Sequence, residues 1–216
     1  MTASRVREVA TPNGPARVRL TRPRGAVGTV VLTHGASGGL GSPDLRALET
    51  QLPQLGWAVA LVEQAFVVAG ARTPPRAPVQ DTAWLPVIAA LRSGRAALPG
   101  LLVVGGRSNG ARVGCRTAVA SGADAVLCLA FPLHPPGRPD TSRAGELLMP
   151  YAAGLAVRVV QGERDAFGSP EEVRAVVPDP ATVVTVAGTH SFTRVPGDVV
   201  AAVMAFLGEC RVAAGR

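Results

Sequence analysis

Three side chains with complementary acid–base chemistry each stand just beyond an apolar run in this chain. The first lies in Gly106-Arg107-Ser108-Asn109-Gly110, a serine flanked by glycines two positions away on the G-x-S-x-G pattern. Where such a stretch joins a strand to a helix, the turn is tight enough to strain the serine and crowd its neighbours, and glycine relieves the crowding. Ser108 would then stand above a sheet at a helix N-terminus, where free N–H groups and the helix dipole favour developing negative charge. The other two groups follow later runs, in Gly162-Glu163-Arg164-Asp165 and Gly188-Thr189-His190. The order Ser, Asp, His suits nucleophilic catalysis: His190 would take and return the serine proton, while Asp165 would hold the imidazole tautomer. Each has a plainer reading as well. The serine can sit in an ordinary turn of a chain with 25 glycines, Asp165 can form the turn before Ser169-Pro170, and His190 can be a loop residue before Phe192.

A second glycine-rich stretch, His34-Gly35-Ala36-Ser37-Gly38-Gly39, follows another apolar run. Its expected contribution is a backbone N–H, that of Ala36, facing the serine and forming an oxyanion hole with the amide of Asn109. A phosphate-binding loop is the competing reading. It fails because neither G-x-G-x-x-G nor a Walker lysine pattern is present. His34 is expected beside the substrate as a loop-ordering residue, not as the base. His134 reads as a wall of the site or an anchor for the proline-rich loop around it. Arg72, with Arg76 and Arg138, lies in loops at the same end of the expected strands and could draw an anionic acyl group, or could simply be solvated. Arg107 reads as the partner of a structural ion pair.

These groups converge only if a sheet carries them. Short Val- and Leu-rich runs at 17–20, 27–33, 57–63, 101–105, 125–131, 156–161 and 182–186 alternate with helix-patterned segments at 43–55, 81–95, 109–121, 169–176 and 196–212. Runs such as Val126-Leu127-Cys128-Leu129-Ala130 are apolar at every position, as strands buried on both faces are. The alternation predicts an α/β fold, a doubly wound, mostly parallel sheet flanked by helices. In that architecture ligands bind beyond the carboxyl ends of the strands, which is where Ser108, Asp165 and His190 fall.

Composition narrows the rest. The chain has 216 residues, 47% of them hydrophobic and 17% charged, enough for one domain with a real core and too apolar for disorder. All 22 basic residues are arginine and Ile88 is the only isoleucine, the coding bias of a GC-rich genome. The net charge of +7 is concentrated at the start: residues 1–24 hold six arginines against Glu8. That segment reads as an edge strand with charges on its solvent face, or as a basic arm. No aromatic residues interleave to stack on bases, so no nucleic-acid partner is expected. The three cysteines (Cys115, Cys128, Cys210) have no zinc spacing, and no metal or other cofactor is expected. No signal peptide or span of about 20 apolar residues is expected, which predicts a cytoplasmic chain without membrane partners. A homodimer is compatible with the sequence.

Taken together, His34-Gly35, the Gly106–Gly110 stretch, Asp165 and His190 resemble the α/β-hydrolase superfamily. Phe131-Pro132-Leu133-His134-Pro135-Pro136-Gly137, with Arg72-Thr73-Pro74-Pro75-Arg76 ahead of Asp81 and Trp84, is similar to the small lidless branch related to dienelactone hydrolase. That branch includes testis-expressed protein thirty and the NSL-complex subunit three. The resemblance covers about residues 27 to 210. It implies a minimal or absent cap, since only about twenty residues (132–151) are available for one, and a triad of Ser108, Asp165 and His190. The function it implies is hydrolysis of small carboxylic esters or thioesters through an acyl-enzyme. A non-catalytic interaction module on the same fold is the alternative.

Overall fold

The computed structural model describes residues 4–215. In chain order the elements are β1 (Ser4–Val9), β2 (Ala16–Thr21), β3 (Gly28–Thr33), α1 (Pro43–Gln51), β4 (Trp57–Glu63), α2 (Ala65–Val68), α3 (Ala77–Arg92), β5 (Leu101–Arg107), α4 (Asn109–Thr117), β6 (Ala125–Leu129), α5 (Ala144–Ala152), β7 (Ala156–Gly162), α6 (Pro170–Val176), β8 (Val183–Val186) and α7 (Pro196–Ala213). All eight strands join one sheet in the order β1-β2-β4-β3-β5-β6-β7-β8. The pairs β1–β2 and β2–β4 are antiparallel, and every other pair is parallel. The expected doubly wound α/β sheet is therefore present, with an antiparallel edge.

Two apolar layers sandwich it. Val30, Leu32, Leu61, Val103 and Leu127 face one side and pack on α1 and α7 through Leu45, Leu48, Val199 and Phe206. Val31, Ala60, Val104 and Val126 face the other and meet Trp84 and Ile88 of α3, Val113 of α4 and Leu147 of α5. Burying side chains of this size is worth about 1.5–3 kcal/mol each, so the central strands are the rigid part of the molecule. Their carboxyl ends, which carry the loops of interest, inherit that rigidity.

Several elements differ from the sequence expectation. The segment expected over 43–55 is helical only to Gln51 and continues as a 3-10 turn, Leu52–Leu55, because Pro53 has no N–H to extend the α-helical bonding. Helix α3 starts at Ala77, not Asp81. Pro78 fills a first-turn position where its missing N–H costs nothing, and Asp81 is instead paired with Arg116. Two short helices, α2 and α5, stand where loops were expected. At the N-terminus, the described part of the basic segment begins with the edge strand β1, paired to β2; residues 1–3 of that segment lie outside the described residues. Several of its charges are engaged: Arg17 meets Glu63 and Glu8, Arg19 meets Glu49, Arg7 donates to the Ala90 carbonyl and Arg22 to the Ala96 carbonyl. No helix among the described residues is long and apolar enough to cross a membrane.

Candidate active site

Ser108 caps α4 immediately after β5, with φ 52° and ψ −112°. A non-glycine residue rarely adopts a positive φ, and here the turn imposes it, since Ser108 N–H donates 2.8 Å to the Leu129 carbonyl of the neighbouring strand. The flanking glycines are required by close approach. A Cβ on Gly106 would run into the Thr33 carbonyl, and one on Gly110 would lie 2.5 Å from that same oxygen. Both glycines let the elbow pass against the end of β3.

His190 comes from the loop after β8, and its Nε2 lies 2.8 Å from Ser108 Oγ. Its Nδ1 lies 2.8 and 2.9 Å from the two carboxylate oxygens of Asp165, in the loop after β7. An ionised carboxylate only accepts, so Nδ1–H donates to Asp165, leaving Nε2 free to accept from the serine hydroxyl. Asp165 is buried, and Phe167 N–H also donates to its Oδ1 at 2.9 Å. The Phe167 ring packs on the imidazole with centroids 4.3 Å apart. Such a line can carry a proton off a hydroxyl and return it to a leaving group.

The loop after β3 crosses over the serine: a Cβ on Gly35 would lie 3.4 Å from Ser108 Cβ. A turn closed by Gly38 N–H donating to the Gly35 carbonyl presents Ala36. Ala36, Ser108 and Asn109 line one cleft of about 330 Å³. Among the described residues neither the Ala36 nor the Asn109 amide makes a backbone hydrogen bond. Both are therefore available to an oxygen bound there, and Asn109 is the first residue of α4, where helix N–H groups lack internal acceptors. A larger cavity of about 810 Å³ lies against β2 and α1, lined by Arg19, Thr21 and Glu49 and by none of Ser108, Asp165 and His190.

Of the three residues expected at the substrate site, none lines the Ser108 cleft, and His34 and His134 take the loop-ordering and loop-anchoring parts also read for them. His34 is buried, and both its nitrogens are occupied: Nε2 accepts from Gln64 N–H at 3.0 Å, so Nδ1 carries the proton and donates to the Gly35 carbonyl at 2.8 Å. Burial holds its pKa below the ordinary value, and its part is to order the loop. His134 is also buried, with Nδ1 2.9 Å from the Pro135 carbonyl and Nε2 3.2 Å from Glu172, and it ties the proline-rich loop to α6. Glu172 also accepts from Ser169 N–H in the α6 capping box, and that bond, with His134 beside it, holds its carboxyl below the usual range. Arg72 is exposed and outside the cleft; its neighbour Arg76 lines it instead. No group of three or more His, Cys, Asp or Glu side chains suited to a metal ion occurs among the described residues.

Sequence reasoning missed three supports. Gln161, fully buried at the end of β7, donates from Nε2 to Asp165 (3.0 Å) and the Gly168 carbonyl (2.8 Å), and its Oε1 accepts from Phe131 N–H (2.9 Å). Gln80 accepts from the Asn109 side chain at 2.6 Å and donates to the Pro75 carbonyl at 2.7 Å, fixing the cleft wall. Asp44, fully buried on α1, faces Arg107 at 3.5 Å, while Arg107 Nη2 donates 2.6 Å to the His190 carbonyl. The ion pair expected of Arg107 is thus present, and it also clamps the backbone of the loop that carries His190. Only a lone polar residue ending the Val157-Arg158-Val159-Val160 run could have signalled Gln161; the other two contacts join distant segments.

A mostly parallel eight-stranded sheet with a serine elbow after the fifth strand in chain order, and an acid and a histidine beyond later strands, defines an α/β-hydrolase. The sequence matches the family described as alpha/beta hydrolase domain over residues 26–198, and the chain belongs to that family. No curated protein matches it in sequence. Its fold is similar to that of a lidless α/β serine hydrolase from Xanthomonas campestris at 22% identity and a TM-score of 0.71, covering 95% of this chain and 96% of that one. Est1E from Butyrivibrio proteoclasticus is similar at 16% identity and 0.72, covering 96% and 99%. Dienelactone hydrolase from Anabaena variabilis follows at 18% and 0.66, covering 95% of each chain. The matches agree with the absence of a large cap, for the 132–151 segment is a proline-rich loop followed by α5.

Proposed function

We propose that this chain is a serine hydrolase of carboxylic esters or thioesters, working through an acyl-enzyme. The observation that carries the reading is the hydrogen-bonded line Ser108–His190–Asp165, with Ser108 at a positive-φ elbow on a helix N-terminus. In the proposed cycle His190 Nε2 takes the Ser108 proton as Oγ attacks the acyl carbon. The amides of Ala36 and Asn109 receive the developing oxyanion, and His190 then protonates the departing alcohol or thiol. Water, deprotonated by the same nitrogen, releases the acid and restores the serine. Asp165 keeps the imidazole oriented and offsets its charge. Membership in the α/β-hydrolase family, and the names serine hydrolase, Est1E and thioesterase domain among proteins of like fold, support the class. A cytoplasmic setting fits three free, buried cysteines, since thiols stay unpaired in reducing compartments.

Turnover of p-nitrophenyl acetate and its thioester analogue by the wild type and Ser108→Ala tests the reading. The variant should lose on the order of 10⁴-fold in kcat with unchanged folding. Equal turnover by the two proteins would remove the assignment. Turnover by neither would favour a binding module on the same fold.

A further inference from the structure

The cleft beside Ser108 is walled by proline and edged by arginine. Pro75 and Pro132 line it, as do Arg76 and Arg112, and no acidic side chain does. Arg76 precedes α3 as its N-cap, is exposed, and makes no ion pair among the described residues. Arg112 gives Nε and Nη2 to Glu146, at 2.7 Å each, which leaves Nη1. Glu146 is shared further with Arg116, which also holds Asp81. Arg143 donates to the Pro132 carbonyl, and burial with Arg112 close by pushes its guanidinium below the ordinary value. Around this wall four guanidinium groups, Arg76, Arg112, Arg116 and Arg143, therefore face two carboxylates. The N-termini of α3 and α4 meet the same space through Ala77 and Asn109, adding positive potential. A cleft with this balance attracts an anion.

Direction follows from the proton path. A leaving group must receive its proton from His190 Nε2, so it departs on the imidazole side, and His190 is not among the residues lining the cleft. The acyl chain then occupies the cleft, its methylenes against Pro75 and Pro132 and its far end at Arg76 and Arg112. We infer that the acyl group carries a terminal carboxylate, making the substrates half-esters or half-thioesters of short dicarboxylic acids. This rests on the serine-hydrolase reading above. Each turnover consumes one half-ester and one water, breaks the acyl C–O (or C–S) bond, and yields the dicarboxylate, the alcohol or thiol, and one proton. At about 330 Å³ the cleft lies at the small end of ligand sites, which suits a short chain.

Hydrolysis of monoethyl glutarate and monoethyl adipate, compared with the neutral amide ethyl glutaramate, tests it by proton NMR. At low salt kcat/KM should favour the better half-ester by about tenfold, the scale of one hydrogen bond to a charged group. The ratio should fall toward one in Arg76→Gln, and also at about 0.5 M salt, where exposed charges are screened. Turnover of the neutral ester at a rate equal to or above that of both half-esters overturns the inference and leaves the hydrolase reading standing. So does a preference that survives Arg76→Gln. If none of the three esters is cleaved, the hydrolase reading is decided by p-nitrophenyl acetate as above, and calorimetry with glutarate decides the anion site on its own. Binding that Arg76→Gln abolishes supports the site, and no binding to the wild type overturns it.

Discussion

Replacing Arg107 with methionine removes the only cation within ion-pair distance of Asp44 among the described residues, and that carboxylate is fully buried. Neither Asp44 oxygen makes a hydrogen bond, so the charge is held by the guanidinium alone. Breaking a buried pair from one side costs about 3–5 kcal/mol, because the remaining ion is stranded away from water. The lost donor to the His190 carbonyl adds about 1 kcal/mol. For a domain of this size, 1 kcal/mol moves the melting temperature by about 2–4 °C, so the combined loss of about 4–6 kcal/mol should lower the melting point of Arg107→Met by roughly 8–24 °C. Asp44→Asn should cost less, since Arg107 keeps some solvent exposure and its bond to His190. The double variant should be more stable than the sum of the two losses allows, by at least about 1 kcal/mol. Guanidinium unfolding of all four proteins measures this coupling. Strict additivity, or a loss below about 1 kcal/mol in Arg107→Met, would refute the buried-pair reasoning. The esterase rate of Arg107→Met, measured well below its melting point, should fall in kcat more than it rises in KM, because the clamp bears on His190 and not on the cleft.

Three further outcomes follow from the same geometry. His34 has its pKa lowered by burial and accepts a backbone proton through Nε2, so the unfolded chain binds more protons than the native one below about pH 6.5; stability should decline as pH falls through that range, and less so in His34→Asn, as read by unfolding free energies from pH 7.5 to 5. Gly110→Ala places a methyl 2.5 Å from the Thr33 carbonyl, a backbone atom that cannot rotate aside, so a loss of about 1–3 kcal/mol is expected in thermal unfolding. Gln161→Leu leaves Asp165 without one of its donors and the Phe131 amide without its acceptor; kcat for an ester should drop by about 10- to 100-fold, with KM little changed.

The parallel core was legible because its strands are buried on both faces and therefore apolar at every position, as in Val30-Val31-Leu32 and Val103-Val104. The candidate nucleophile, acid and base were legible for a related reason: polar residues stand out where such runs stop. Strand β1 was harder to read, because Arg5, Arg7 and Glu8 on an edge strand look the same in sequence as a basic arm. Helix α5 was hidden by Pro150 and Gly145, whose cost is offset by Leu147 in the core and by Glu146 bridging Arg112 and Arg116. What separates the other two histidines from His190 has one cause. His34 and His134 lie at strand ends like His190 does, yet only the fold decides whether a ring nitrogen is left free, and in both cases backbone and carboxylate partners occupy it. The Asp44–Arg107 clamp joins segments far apart in sequence, and no local pattern announces it.

The central claim is that Ser108 is a nucleophile activated by His190. Intact-protein mass spectrometry after treatment with a fluorophosphonate probe tests it most directly, using the wild type, Ser108→Ala and His190→Ala. The account predicts a single adduct on the wild type, localised by peptide mapping to Ser108, none on Ser108→Ala, and labelling slowed by orders of magnitude on His190→Ala. A folded wild-type protein that stays unlabelled, or an adduct that persists in Ser108→Ala, would contradict it.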